Sequence, residues 1–126
     1  MLFRSCQELI TASTENIPVK IVVFNNGNHG MVRQWQKIFY NSKFSASELG
    51  HVVPDYVKLA ESMGAVGLRM TKKTEVKNVF SEMLKINDRP VLIDCVVDPE
   101  DMVFPMVPAG GSNDQIILNE EDLKNL

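Results

Sequence analysis

The chain has 126 residues, enough for one domain with a core and too few for two ordinary ones. Hydrophobic residues at 44% against charged residues at 23% are the balance of a folded globular chain and exclude a disordered tail. With 13 Lys and Arg against 16 Asp and Glu, the net charge of -3 argues against nucleic acid or an anionic membrane as the main partner.

Cys6 and Cys95 stand far apart in apolar surroundings and read as reduced thiols of an intracellular protein. Charges interrupt every apolar run before membrane-spanning length, and the first residues carry no secretory signal. A cytoplasmic location is therefore expected.

In chain order, Ser5 to Ser13 can form a helix carrying Leu9 and Ile10. Pro18 precedes the β-branched run Val19 to Phe24, which predicts a strand buried on both faces and ending at Asn25-Asn26-Gly27. Met31, Val32, Trp35, Ile38 and Phe39 recur at helical spacing and predict a helix over Gly30 to Tyr40. Asn41 to Val53 reads as a polar loop, with His51 exposed in it. Pro54 is expected to open the next helix, with Tyr56, Leu59, Ala60 and Met63 as its apolar stripe and Gly64 as its stop.

Ala65 to Met70 predicts a second strand. Thr71 is the expected cap of a helix with Val76, Val79, Phe80, Met83 and Leu84 on one face. Val91 to Val97 predicts a third strand, closed by Asp98-Pro99. Beyond it, Asp98 to Asn113 reads as an irregular arm over something apolar, and Asp114 to Leu126 as a short acidic helix or a frayed tail. Strands alternating with helices over short connections predict an α/β fold, a parallel sheet with flanking helices. Three strands are few for such a sheet, so the chain reads as part of a domain that lacks its first strands.

Ligands of open parallel sheets bind beyond the carboxyl ends of the strands. Asn25-Asn26-Gly27-Asn28-His29-Gly30 falls at that position, just before a helix start. Helix starts suit phosphate, and amide or carbonyl oxygens suit Mg²⁺. On the hexapeptide alone, a plain turn using Asn and Gly for their backbone tolerance ranks ahead of a metal–diphosphate site. His29 is either a proton shuttle or a turn histidine bonded to backbone, and Trp35 either a core residue or the wall of a substrate pocket.

The run Asn25-Asn26-Gly27-Asn28-His29-Gly30-Met31-Val32-Arg33-Gln34-Trp35-Gln36 closely resembles the thiamine-diphosphate-binding domain of acetolactate synthase (acetohydroxyacid synthase) catalytic large subunits. Pro54 to Glu61, Arg89 to Asp94 and Val103 to Gly111 are similar to the same domain. The resemblance covers about Cys6 to Ile117. It implies that Asn26 coordinates Mg²⁺ through its side chain and Asn28 through its carbonyl. It also implies that Gly27, Asn28, His29 and Gly30 lie against the diphosphate of thiamine diphosphate and Met31 near its rings.

Met31, Val32 and Trp35 would line the substrate channel, with Ala109 on the arm that closes it. The implied reaction is the decarboxylative condensation of pyruvate with a second pyruvate or 2-ketobutyrate, in branched-chain amino acid biosynthesis. The implied partners are the rest of the catalytic subunit, a homodimer or tetramer, a small regulatory subunit and, elsewhere in the full-length enzyme, FAD. A plant or algal source would make the location plastid.

The sequence also departs from the family. The family's Gly-Asp-Gly triplet, whose Asp is a further Mg²⁺ ligand, occurs nowhere in the 126 residues. Residues 1–5 look like an atypical junction, with Arg4 where the family has an apolar residue. The glutamate that activates the cofactor belongs to another domain, so no catalytic residue is expected in this chain. The whole of 1–126 is then expected to be the C-terminal part of a thiamine-diphosphate-binding domain, with 98–126 its arm and tail, and to be inactive alone. The alternatives are a subunit of another, split thiamine-diphosphate-dependent 2-ketoacid decarboxylase and a non-catalytic subunit-contact module.

Overall fold

The computed structural model describes residues 6–50 and 53–125, so the expectations for residues 1–5 and for His51 lie outside the described residues. The chain forms two compact units, one drawn from Met1–Asn26 and His51–Val97, the other from Gly27–Gly50 and Asp98–Leu126. Among the described residues, no helix is long and apolar enough to cross a membrane.

The first unit is built on three strands: β1 (Lys20–Asn25), β2 (Val66–Met70) and β3 (Val91–Val96). They lie in the order β1-β3-β2, every pair parallel, with Val23 and Arg69 both opposite Asp94. This is the α/β sheet with flanking helices that the alternation of elements predicts. Helices α1 (Glu8–Thr14) and α3 (Tyr56–Ser62) belong to this unit, as does α4 (Val76–Lys85); α2 (Gly30–Phe39) belongs to the other.

Strand side chains alternate faces, and β3 divides the core accordingly. Leu92 packs with Leu9, Tyr56, Ala60 and Ala65 from the α1 and α3 side. Val91 and Ile93 pack with Met70 and Met83 on the α4 side. Val91, Leu92, Ile93 and Asp94 are all buried because β3 is central and covered on both faces.

β1 departs from its expected double burial. It pairs with β3 alone, and Phe24 is 74% exposed. An apolar β-branched run marks a strand without marking its place in the sheet, and β1 is an edge among the described residues.

Two helix starts also differ from expectation. Pro54 stays outside α3. Asp55 is the cap, its carboxylate accepting from Val57 N at 3.2 Å and Lys58 N at 3.3 Å. Thr71 does not cap the last helix either. A 3-10 turn over Lys73–Glu75 leads into α4, and the Glu75 carboxylate reaches back to the N–H groups of Thr71 and Lys72. Of the apolar stripe predicted on α4, Met83 is buried and Val79 and Phe80 pack beside it, while Val76 and Leu84 are exposed.

In the second unit, α2 carries the loop that follows it. Gln36 accepts from Ser45 N and Ser47 Oγ and donates to Ser45 O. Residues 98–112 are irregular, as expected, and the tail holds 3-10 turns at Asn113–Gln115 and Asp122–Asn125.

Candidate functional site

The hexapeptide of interest begins at the carboxyl end of β1. Asn25 is the last strand residue: its carbonyl accepts from Val97 N at 3.0 Å and its side chain donates to Asp94 Oδ1 at 2.9 Å. Asn26 closes the first unit and Gly27 opens the second.

Gly27 has φ +68°, a conformation that L side chains rarely adopt, and no described residue beyond its chain neighbours lies within 4 Å of where a Cβ would stand. Within the second unit, residues 27–29 run antiparallel to 47–49. Leu49 N donates to Gly27 O at 3.2 Å, His29 N donates to Ser47 O at 2.8 Å, and Asn28 bridges Glu48. This pairing holds the backbone in shape, with room beside Gly27 among the described residues.

Helix α2 follows directly. Arg33 N donates to His29 O at 2.9 Å as the first helical bond, and the His29 side chain makes no capping hydrogen bond of its own. Residues 26 and 28 supply an amide and carbonyl oxygens, all hard donors suited to Mg²⁺. A ten-residue helix start adds a partial positive charge suited to phosphate. The donor chemistry and the room at Gly27 fit a cation bridged to a phosphate group. Among the described residues, no group of three His, Cys, Asp or Glu could hold a metal by itself. The phosphate's own oxygens and water would have to complete such a shell.

Met31, Val32 and Trp35 line one open cavity of about 510 Å³, with Gln36, Tyr40, Lys43 and Ser45 as its other walls. Met31 and Val32 are exposed, and Trp35 is half-buried with its ring 5.0 Å from that of Phe39. Ala109 lines a different hollow, between Pro108 and Asp122. The structure thus brings together three of the four residues expected at the channel and sets the fourth apart.

The arm is tied to α2 by side chains to which sequence reasoning assigned no role. Gln34, only 5% exposed, accepts from Val103 N at 2.8 Å and donates to Val103 O at 2.9 Å. A Gln34→Leu substitution removes both bonds, each worth about 1 kcal/mol. The Val103 amide is then expected to exchange at least about tenfold faster, read by hydrogen-exchange mass spectrometry; an unchanged rate would show that Gln34 does not hold the arm.

Arg33 donates to Pro99 O at 3.1 Å and to Glu100 at 2.6 Å, with its guanidinium 4.5 Å from the centre of the Phe44 ring. Lys37 reaches the other Glu100 oxygen at 3.0 Å. The Arg33 hydrogen bond, and after it that of Lys37, holds the Glu100 carboxyl below its ordinary value of 4.5. A lowered folded-state value means that this tether is complete above about pH 4.5 and is lost as the pH falls through the lowered value. Carboxyl-carbon NMR is expected to place the Glu100 midpoint below 4.5, and Arg33→Met to move it upward. No movement would exclude Arg33 as the cause.

The family model described as "Thiamine pyrophosphate enzyme, C-terminal TPP binding domain" matches residues 1–95. An acetolactate synthase of Mycobacterium avium is 50% identical over 113 residues, 87% of this chain and 18% of that protein. The acetolactate synthase large subunit of Corynebacterium glutamicum is 49% identical over 113 residues, again 87% and 18%. That of Cyanidium caldarium is 36% identical over 120 residues, 95% and 20%.

The chain therefore spans about a fifth of the length of the curated relatives it matches. Among solved structures, a thiamine diphosphate-dependent 4-hydroxybenzoylformate decarboxylase of Rhodococcus jostii RHA1 superposes with a TM-score of 0.67 at 27% identity. It covers 77% of this chain and 18% of that one.

Proposed function

The chain belongs to the thiamine pyrophosphate enzymes, through their C-terminal cofactor-binding domain, and from that premise we propose that it serves as the thiamine-diphosphate- and Mg²⁺-binding portion of an acetolactate synthase large subunit. The observation that carries the reading is the turn at the end of β1, where hard oxygen donors, a positive-φ glycine with open space beside it and a helix start follow one another within six residues. The 50% identity to an acetolactate synthase, against 27% to the decarboxylase, favours condensation over simple decarboxylation.

Asn26, through its side-chain oxygen, and Asn28, through its carbonyl, would hold the Mg²⁺. Gly27, His29 and Gly30 would lie against the diphosphate, and Met31 near the rings. Once bound, thiamine diphosphate supplies the reactive carbon and the electron sink for decarboxylating pyruvate. The residues of this chain bind and orient it. Met31, Val32 and Trp35 would wall the approach of the second 2-ketoacid, pyruvate or 2-ketobutyrate, with Ala109 on the arm.

The resemblance of the turn and arm to this family supports the same reading for the larger assembly. That assembly would be a cytoplasmic dimer or tetramer with FAD and a small regulatory subunit.

The test is a graft. The 113-residue stretch of this chain that matches the Corynebacterium glutamicum large subunit replaces its counterpart there, and the chimera is assayed for acetolactate formation from pyruvate. Turnover dependent on Mg²⁺ and thiamine diphosphate is expected, whereas a folded chimera without turnover would overturn the reading. By itself, the 126-residue chain is expected to show no saturable calorimetric binding of thiamine diphosphate at micromolar concentration, because the turn offers Mg²⁺ no carboxylate.

A further inference from the structure

One polar cluster in the first unit has no part in the functions assigned so far. Asp94 is 1% exposed and stands on the central strand, on the face that Leu92 otherwise fills with apolar packing. Its carboxylate accepts from Asn25 Nδ2 of β1 at 2.9 Å and from Arg69 Nε of β2 at 2.9 Å. Arg69 Nη2 continues to Asp55 Oδ1 at 2.6 Å, the carboxylate that caps α3. One connected set of side-chain hydrogen bonds thus ties together all three strands and a helix start.

Placing a carboxylate in this layer carries a desolvation penalty that apolar packing would avoid, and buried ion pairs contribute little net stability. What the cluster supplies is geometry. Asn25 is gripped twice, by Asp94 at its side chain and by Val97 at its carbonyl. A planar peptide with a fixed carbonyl also fixes the nitrogen of the next residue, and that residue is Asn26.

We propose that Asp94, itself oriented by Arg69, is a positioning residue that clamps Asn25 and thereby presets Asn26 for the divalent cation. The inference rests on the reading of Asn26 as a metal ligand. Residues that orient metal ligands in this way affect metal affinity by about 10–100-fold.

The experiment uses the grafted enzyme and compares Asn25→Leu, Asp94→Asn and Asn26→Ala. Calorimetric titration of thiamine diphosphate, repeated at low and at saturating Mg²⁺, reads the cation's contribution separately from turnover. Asn25→Leu keeps the branched shape and leaves Asp94 paired with Arg69, so the carboxylate is not left without a counter-charge.

Asn25→Leu and Asp94→Asn are expected to raise the Mg²⁺ concentration for half-maximal binding by about tenfold or more. Saturating Mg²⁺ should restore cofactor affinity and turnover, whereas the metal-free Asn25→Leu enzyme should melt somewhat lower than the parent because the buried Asp94 Oδ1 loses its donor. A lowered melting temperature with unchanged Mg²⁺ dependence would make the cluster merely structural and overturn the proposal. If Asn26→Ala weakens binding and Asn25→Leu does not, the clamp fails while the metal-ligand reading stands. If Asn26→Ala also has no effect, the metal-ligand reading itself fails.

Discussion

Replacing Asn26 by alanine in the grafted enzyme is expected to raise the Mg²⁺ concentration needed for half-maximal turnover by at least about a hundredfold. This is the upper end of what losing a mere supporting residue does. Mg²⁺ demands near-octahedral oxygen coordination and holds few protein ligands, so each fixed oxygen matters more than in a crowded Ca²⁺ site.

The Asn28 carbonyl survives the change because it belongs to the backbone. Were Asn26 a ligand as proposed, alanine there would leave a coordination position that only water could fill, weakening the hold on Mg²⁺. Asn26→Asp keeps an oxygen at that place and is expected to retain Mg²⁺ dependence within about tenfold of the parent. Activation curves against Mg²⁺ check both variants. An alanine variant with the parent's curve would remove Asn26 from the metal site.

Gly67→Ala is expected to destabilise the 126-residue chain by about 3 kcal/mol, the large end of what overpacking a core does. Gly67 lies on β2, opposite Leu92 of β3, on the face covered by α3. A Cβ there would stand 2.6 Å from the Val57 carbonyl oxygen and 2.8 Å from its Cα. Both are backbone atoms of a helix and cannot rotate aside as a side-chain tip would. Either α3 lifts from the sheet or the strand bends.

Urea unfolding followed by circular dichroism reads the loss as a lower midpoint. An unaltered midpoint would mean that α3 can shift at no cost. The contrast with Gly27 is instructive. One glycine is required by the neighbour it touches, the other by its own dihedral in open space.

Much of this architecture could be read from periodicity. The stripe Tyr56, Leu59, Ala60, Met63 follows the helical repeat, and Val91 to Val96 is the apolar run, broken only at Asp94, of a strand covered on both faces. The edge position of β1 was hidden, since Val19 to Phe24 has the composition of a central strand and pairing partners leave no mark on a single run. The helix starts were misplaced for a different reason. Pro54 and Thr71 carry the stronger propensity, whereas Asp55 and Glu75 carry the hydrogen bonds that form.

Within the site, the asparagine-glycine turn was legible because its residue types are unusual. Gln34 was not, because its partner Val103 lies 69 residues away and a glutamine in an amphipathic helix reads as solvent-facing. Asp94 did leave a signal: it is the one charged residue inside Val91 to Val97, and a charge in a buried strand has to find a counterpart.

The outer side of β1 has a practical consequence for anyone handling the polypeptide in solution. Phe24 at 74%, Ile17 at 50% and Val19 at 40% exposure lie along or beside a strand that no other strand flanks on that side among the described residues. Such a margin invites edge-to-edge stacking between molecules, and three net negative charges give only weak colloidal repulsion. Concentrated stocks should therefore scatter light progressively, and buffers of low ionic strength above neutral pH, where the charge is more negative, should keep them clear longest.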